Sequence, residues 1–434
     1  MGAADRFHGV LLRGALLRGL TRLATIVLLV AATAVGAVRV MTAEPIKIGF
    51  SMSLTGPLAP NGKQVLVAME IWREEINAKG GLLGRPVEFV YYDDQGNAAN
   101  VPAIYTKLLD VDKVDLTIGP YATNMIAPAI PVLMQHNMAT IGMLGVAVNS
   151  EFHYPKYFSM IAAGPRPKLA FSEGFFAVAM AQNPKPRTVA IVGADAEFAK
   201  ASTDGARENA RAAGLQIVYD RSYPPATTDH QSIVRAVQAA DPDIVYVASY
   251  PPDTIGIVRA TQEVGLKPKI FGGNMVGFLA TPFKLQLGPL LNGMISTADT
   301  FIPAPSFSFP GVHDLLKKYQ ARAGSQGVDP LGYNYAPYGY AALQVLGQAV
   351  EGTKGLNQDG IADYGHTHSF ETVVGTIAFG PDGERTKPRV LVSQFQNIRG
   401  NDLDQFRDMT KQVVLWPEEY KSGSLIYPFT AARK

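Results

Sequence analysis

From Glu44 onward, the spacing of apolar and polar positions predicts strands and helices in regular succession. Residues 46–51 (IKIGFS) form a short apolar run that is typical of a buried strand. Between Val65 and Ile76 apolar residues recur at three- and four-residue steps, which predicts a helix, and Gly80-Gly81 ends it. Continuous apolar strands joined through helices indicate parallel sheets that are covered on both faces.

The same succession runs through the chain twice. The first series ends near residue 143, and the second begins after the Gly-Pro-Arg-Pro stretch at Gly164. Two series of ordinary domain size predict two similar doubly wound α/β lobes. The predicted strands are 46–51, 87–92, 116–119, 139–143, 188–192, 216–219, 244–248 and 269–272, and the predicted helices are 65–78, 100–111, 125–135, 169–182, 197–213, 232–240 and 254–264.

The remaining third of the chain continues the pattern less regularly. It predicts strands at 291–297, 372–379 and 389–395 and helices at 313–322 and 337–350. Because elements return after both lobes are complete, we expect several crossings between the lobes and hence a hinge of several strands. The expected boundaries are 44–163 with 299–371 for lobe 1, and 164–298 with 372–434 for lobe 2.

The first 43 residues have the layout of a secretory signal peptide. Four arginines precede an uncharged apolar run, Leu23–Val38, and Arg39 follows it. This run is shorter than the roughly 20 residues that span a bilayer. A basic start, a short apolar centre and small residues after it predict cleavage after Ala37 or after Ala43. An uncleaved anchor is the alternative.

Composition and charge narrow the class of protein. A hydrophobic content of 47% with 18% charged residues is typical of a globular chain, and the absence of cysteine excludes disulfides and thiol nucleophiles. Residues 1–43 contain five of the 39 basic and one of the 37 acidic residues, so the remainder carries 34 and 36, a net charge of −2. Such a near-neutral chain without basic clusters predicts no nucleic-acid partner.

The ends of the predicted strands are where a parallel α/β protein binds its ligands. After the first strand, Ser51, Ser53 and Thr55 could supply a nucleophile, a phosphate cradle or one wall of a solute pocket. No phosphate loop, dinucleotide fingerprint or nucleophile elbow has the required spacing. The acidic pair Asp93-Asp94 is expected to be a solvated turn.

Another strand end offers a site for an anion. The segment L116-T-I-G-P-Y-A-T-N124 delivers Thr123 and Asn124 to the start of a helix. A hydroxyl and free N–H groups there bind a carboxylate without a formal positive charge, although a plain helix cap fits equally well. The histidines at 366 and 368 are expected in a surface loop and not at a metal.

Several of these stretches together resemble periplasmic leucine/isoleucine/valine-type binding proteins of ABC transporters, the branched-chain amino acid family. The resemblance covers roughly Pro45–Arg407. It implies a type I periplasmic binding protein fold, with two Rossmann-like lobes, a three-crossover hinge and a ligand cleft between them. It also implies a monomeric, non-enzymatic periplasmic carrier without cofactors, which binds a small carboxylate and passes it to membrane permease subunits. The stretches are 53–62, 76–85, 91–94, 118–123, 244–250 and 372–380.

The resemblance also assigns roles to individual residues. It places the ligand carboxylate on Thr123 and on the main chain of Met143-Leu144-Gly145, with Phe198 covering the ligand. The expected ligand-binding residues are Ser53, Asn61, Tyr121, Thr123, Asn124, Met143, Leu144, Gly145, Phe198, Tyr250, Asn274 and Tyr335.

Two departures from the family pattern bear on the ligand. Asn274 stands where members that bind amino acids have an acid, and Asn61 stands where an aromatic residue is common. Because an unpaired buried ammonium is costly, an aromatic or aliphatic carboxylate fits as well as a branched-chain amino acid. Two other functions remain open: a ligand-sensing module for a membrane receptor, and an exported hydrolase that uses a hydroxyl of the opening loop.

Overall fold

A computed structural model describes residues 43–299 and 305–433 of the protein. Residues Pro45–Lys434 form one compact unit. Apart from Ala43, the predicted signal peptide lies outside the described residues. Within the described ranges, no helix combines the length and the apolar character needed to span a membrane.

The first sheet has five parallel strands in the order β2-β1-β3-β4-β5. Its strands are β1 Ile46–Met52, β2 Val87–Asp93, β3 Leu116–Tyr121, β4 Thr140–Met143 and β5 Tyr157–Ser159. The helices between them are α1 Ala59–Ala78, α2 Val101–Asp110, α3 Thr123–Gln135 and α4 Asn149–Phe152. The doubly wound order brings the carboxyl ends of β1 and β3 to the same edge of the sheet.

The second sheet repeats this arrangement and then adds two strands from the end of the chain. Its order is β14-β13-β10-β9-β8-β6-β7, in which β6 to β10 are parallel and β13 and β14 antiparallel. The strands are β6 Thr188–Ala194, β7 Gln216–Tyr223, β8 Ile244–Ser249, β9 Ile270–Met275, β10 Ile295–Asp299, β13 Leu391–Phe395 and β14 Gln412–Trp416. The helices are α5 Pro167–Met180, α6 Glu197–Ala212, α7 His230–Ala239, α8 Pro251–Val264 and α9 Thr281–Leu287.

The remaining elements return to the first lobe. They are α10 Val312–Gln326, α11 Ala336–Thr353, α12 Gln358–Thr367 and the hairpin of β11 Ser369–Thr372 and β12 Gly375–Ala378. Phe370 and Ile377 of this hairpin belong to the same hydrophobic core as β1 and β3. The chain therefore rejoins the second sheet at β13, several residues after the expected crossing at 371/372.

Two local predictions are wrong. The single strand expected at 372–379 is interrupted by a turn, because Gly375 takes a φ of +85° and the chain reverses into the β11–β12 hairpin. His366 does not lie in a surface loop: it is on α12, and its two ring nitrogens contact the carbonyl oxygens of Gly380 and Pro155. The buried face of α12 has only two residues with an apolar side chain, Ile361 and Ala362. The sequence therefore shows no clear helical periodicity there.

Candidate functional site

A cavity, called the inner cavity below, lies where loops of the two lobes meet. The volume that the centre of a water-sized sphere can occupy in this cavity is about 50 Å³. This volume corresponds to about three to five water molecules. The lining residues are Leu58, Tyr121, Ala122, Thr123, Leu144, Ile161, Phe171, Phe198, Tyr250, Asn274, Val276, Leu279, Asn334 and Tyr335.

Four helices begin at this cavity. Thr123 is the first residue of α3 and Phe198 the second of α6, while Tyr250 and Tyr335 immediately precede α8 and α11. The first N–H groups of a helix have no partner within the helix, and the aligned peptide dipoles place partial positive charge there. Because α8 begins with two prolines, and α11 begins with Ala336, whose N–H donates to Gly332, followed by a proline, the free N–H groups come mainly from α3 and α6. These two helix starts make the inner cavity favourable for an anion.

The entry into α3 is strained. Ala122 has φ +82° and ψ +148°, a region that residues with a side chain rarely occupy and that costs about 1–3 kcal/mol. The conformation is held on both sides, because the Ala122 N–H donates to the Met143 carbonyl and the Thr123 hydroxyl accepts from the Val146 N–H at 2.9 Å. The Thr123 hydroxyl hydrogen remains available to a ligand.

A tyrosine pair forms the polar part of the wall in the first lobe. The Asn61 amide donates to the Tyr121 hydroxyl at 2.9 Å, and the Tyr121 hydroxyl donates to that of Tyr335 at 3.3 Å. The two rings meet edge to face with centroids 5.4 Å apart. Burial raises the pKa of Tyr121, so its hydroxyl stays protonated.

Asn274 contributes an unsatisfied polar group from the second lobe. The residue is fully buried at the end of β9, and neither its amide nitrogen nor its amide oxygen has a hydrogen-bond partner. The Tyr250 hydroxyl is likewise buried without a hydrogen bond of ordinary geometry. Buried polar side chains are normally paired, so these two groups are available for a ligand.

None of the residues that line the inner cavity carries a formal charge. Of the acids close in sequence to Phe198, Glu197 and Asp195 are both exposed, and Asp195 forms an ion pair with Lys200 at 2.9 Å. Among residues 43–299 and 305–433, no group of three or more His, Cys, Asp or Glu side chains is arranged to hold a metal ion. The polar chemistry of this wall is therefore that of hydroxyls, amides and helix starts.

The structure brings seven of the expected ligand-binding residues into the wall of the inner cavity, and five lie outside it. Met143 is buried in β4, Gly145 is enclosed by Ile126 and Val148, and Asn61 lies behind Tyr121. Asn124 lines a second, neighbouring cavity. The seven in the wall are Tyr121, Thr123, Leu144, Phe198, Tyr250, Asn274 and Tyr335.

Ser53 lies outside the inner cavity because it has a partner elsewhere. Its hydroxyl donates to the Asp94 carboxylate at 2.6 Å, and that of Ser51 donates to the other Asp94 oxygen at 3.0 Å. Asp94 is fully buried, so the expectation of a solvated acidic turn is wrong for this residue. The hydroxyls after β1 fasten the loop to the end of β2.

Sequence reasoning missed half of the cavity wall. Asn334 lies next to Tyr335 in the aromatic stretch 333–340, so a signal for it existed. Ile161 belongs to the crossover between the lobes, where no periodicity shows which side chain turns inward. Phe171 lies in α5, where the helical period marks a buried face but not a cavity wall. The other missed residues are Leu58, Ala122, Val276 and Leu279.

The chain is similar in sequence to known relatives and in fold to proteins of known structure. The Leu/Ile/Val-binding protein homolog 8 of Brucella abortus is 22% identical over 364 residues, which cover 81% of this chain and 88% of the relative. The structure of LivJ from Streptococcus pneumoniae in complex with isoleucine matches with a TM-score of 0.68 at 21% identity, covering 82% of this chain and 97% of LivJ.

A third match binds a different ligand. The solute binding protein of an ABC transporter from R. palustris in complex with benzoate matches with a TM-score of 0.69 at 17% identity, covering 86% of this chain and 95% of that protein. The two-lobed fold of these structures is that expected from the sequence. Residues 45–399 match the family model described as periplasmic binding protein, and the chain therefore belongs to the periplasmic binding protein family.

Proposed function

We propose that this protein is the substrate-binding component of an ABC importer, and that its inner cavity captures a small carboxylate with an uncharged, apolar body. The observation that carries this proposal is a buried wall that combines the starts of α3 and α6 with unpaired uncharged polar groups. The helix starts favour the carboxylate. The apolar side chains of Leu144, Phe198 and Val276 favour the body of the ligand.

The composition of the wall argues against an α-amino acid. An α-ammonium group lies next to the carboxylate and would be buried with it, where it would need an acid for compensation. The position expected to supply that acid is Asn274, and among the described residues no acidic side chain lines the inner cavity. Related structures hold isoleucine in one case and benzoate in another, so both ligand classes occur on this fold.

The two lobes supply different parts of the site, which suggests how it works. Thr123 and Tyr121 come from the first lobe, and Phe198 and Asn274 come from the second. A ligand that contacts both lobes favours the closed arrangement by its differential affinity. In our proposal a monomer exported by its signal peptide closes on the solute in the periplasm and passes it to permease subunits.

A matched pair of ligands tests the ligand class. Leucine and 4-methylpentanoate differ only in the ammonium group, and benzoate adds an aromatic body. At a hundredfold excess over Kd a ligand adds about 2.7 kcal/mol to the free energy of unfolding. We expect thermal unfolding to shift upward with 4-methylpentanoate and benzoate and not with leucine.

Variants of the wall extend this test. Asn274→Asp should gain leucine binding, because the new carboxylate compensates the ammonium, while Thr123→Ser retains the hydroxyl and should keep the wild-type preference. Stronger stabilisation of the wild type by leucine than by 4-methylpentanoate would overturn the ligand class. The absence of stabilisation by any carboxylate would overturn the proposal of carboxylate capture.

A further inference from the structure

A second and larger cavity, called the outer cavity below, adjoins the inner one. Leu58 and Tyr250 line both cavities. The space for the centre of a water-sized sphere is about 590 Å³ in the outer cavity, against about 50 Å³ in the inner one. A long ligand bound in the inner cavity can therefore extend past Tyr250 into the outer cavity.

The outer cavity contains a buried acid without a cationic partner. Asp253, in the first turn of α8, is only 5% exposed and accepts a hydrogen bond from the Tyr223 hydroxyl at 3.0 Å. Burial raises the pKa of Asp253, and the Tyr223 hydroxyl and the nearby His230 act in the opposite direction. No lysine or arginine is among the described residues that line this cavity. Buried carboxylates are usually paired with a cation.

Two further hydrogen-bonding atoms in the outer cavity also lack partners. The amide oxygen of Asn124 and the Nε2 atom of His230 are buried and make no hydrogen bond. Asn124 belongs to the first lobe, whereas His230 and Asp253 belong to the second. Both lobes thus contribute polar atoms without partners to the residues that line the outer cavity.

We propose that the outer cavity is a second ligand subsite, which takes a cationic hydrogen-bond donor at the far end of the solute whose carboxylate the inner cavity holds. The proposal rests on the proposed function and narrows its substrate class to extended carboxylates with a distal amino group. The ammonium is excluded from the carboxylate end by the uncharged inner wall and is accepted at the other end by Asp253.

Two matched pairs of probes test the subsite. We would measure Kd by calorimetry at neutral pH for 4-(aminomethyl)benzoate against 4-methylbenzoate, and for 6-aminohexanoate against hexanoate. A charged hydrogen bond in a desolvated site favours the amino member by about 10- to 100-fold. Asp253→Asn keeps the shape and an acceptor for Tyr223, so it should reduce this ratio to about one while the Kd of 4-methylbenzoate stays unchanged.

A control on the same helix distinguishes the subsite from a general effect of charge. Glu263→Gln removes one negative charge from the exposed end of α8 and should preserve the preference for the amino probes. Equal binding of both members of each pair would overturn the second subsite and leave carboxylate capture standing. Absence of binding by all four probes would overturn the proposed function and this inference together.

Discussion

Two groups of buried polar side chains differ in whether they have hydrogen-bond partners. One group lies at the end of β1 in the first lobe, and the other lies in the wall of the inner cavity. At the end of β1, the hydroxyls of Ser51 and Ser53 both donate to the buried carboxylate of Asp94. In the wall of the inner cavity, both amide atoms of Asn274 have no partner. Both groups of side chains lie at the carboxyl ends of parallel strands.

This difference in hydrogen bonding distinguishes polar groups that stabilise the fold from polar groups that are available to a ligand. The sequence does not distinguish a hydroxyl that stabilises a loop from one that faces a ligand. The hydrogen-bond partners of the hydroxyl in the folded protein distinguish the two roles. Paired groups stabilise the fold, whereas an unpaired buried group is costly unless a ligand completes it. The backbone differs between the two regions in a similar way. After β1 the positive φ falls on a glycine, Gly56, whereas in the cavity wall positive φ values fall on Ala122 and Leu144, which have side chains.

A third region, the segment between β12 and β13, tests whether every unpaired buried group serves a ligand. Glu384 is only 3% exposed, and neither carboxylate oxygen has a hydrogen-bond partner, yet it lines neither cavity. Gly383 and Arg389 of this segment hydrogen-bond Ser159 and Ala162 of the first crossover. Burial, and secondly the charge of Asp382, raise the pKa of Glu384 to about 8.

The largest expected effect is therefore on the pH dependence of stability. Because the folded pKa lies above the ordinary value of 4.5, the fold favours the protonated acid, and stability is lost as pH rises from about 4.5 through 8. Relative to Glu384→Gln, the wild-type free energy of unfolding should fall by about 4 kcal/mol between pH 5 and 8.5. Urea titrations at both pH values measure this difference.

The control for this measurement is Glu88→Gln, which makes the same chemical change at an exposed position of β2 and should follow the wild type at both pH values. Parallel profiles for Glu384→Gln and the wild type would show that the carboxylate is compensated in the folded protein. In that case the distinction between hydrogen-bonded and unpaired buried groups would not hold in the segment between β12 and β13.

The second effect concerns the paired region. Asp94→Ala leaves the hydroxyls of Ser51 and Ser53 and the Gly96 N–H without their acceptor and should lower the free energy of unfolding by about 3 kcal/mol. Ser53→Ala removes one donor and should cost about 1 kcal/mol. Ligand affinity should not change in either variant. Calorimetry that showed a larger loss of affinity than of stability would return these hydroxyls to the binding site.

The fold was predictable from the sequence wherever apolar spacing was strong. The strand predicted at 188–192 is observed at Thr188–Ala194, and the helix predicted at 197–213 is observed at Glu197–Ala212. The misses were short or polar elements, such as β5 with three residues and α12 with little apolar surface. In these, packing against the rest of the lobe determines the conformation more than local periodicity does.

The site was predictable only in part, for a related reason. Thr123 and Phe198 follow strands and begin helices, so both the resemblance and the topology placed them near the cleft. Ile161 reaches the wall from a crossover and Phe171 from α5, while Ser53 hydrogen-bonds Asp94 outside the wall. These placements depend on contacts between residues distant in sequence, which a single sequence does not reveal.

The third effect should have opposite signs for stability and binding. Asn274→Leu replaces an unpaired buried amide by an apolar group of similar size and should leave the unliganded protein equally stable or about 1 kcal/mol more stable. The same change should weaken binding of the cognate carboxylate by about tenfold, which corresponds to about 1.4 kcal/mol. Thermal unfolding without ligand and calorimetry with ligand measure the two quantities. A loss of both stability and affinity would mean that the amide has a structural partner.

The smallest effect concerns the strained backbone. Ala122→Gly should raise the free energy of unfolding by about 1 kcal/mol, because glycine adopts φ +82° without steric cost and this gain exceeds the entropy that glycine loses on folding. Ala127→Gly, the same substitution inside α3, should lower it by about 1 kcal/mol. Chemical denaturation of both variants measures the contrast. If both were destabilised equally, Ala122 would be relaxed. Opposite signs of the two changes in the free energy of unfolding would place the backbone strain in the wall of the cavity, next to the Thr123 hydroxyl that faces a ligand. The loop after β1 would then be free of such strain, because its position with positive φ is a glycine, Gly56.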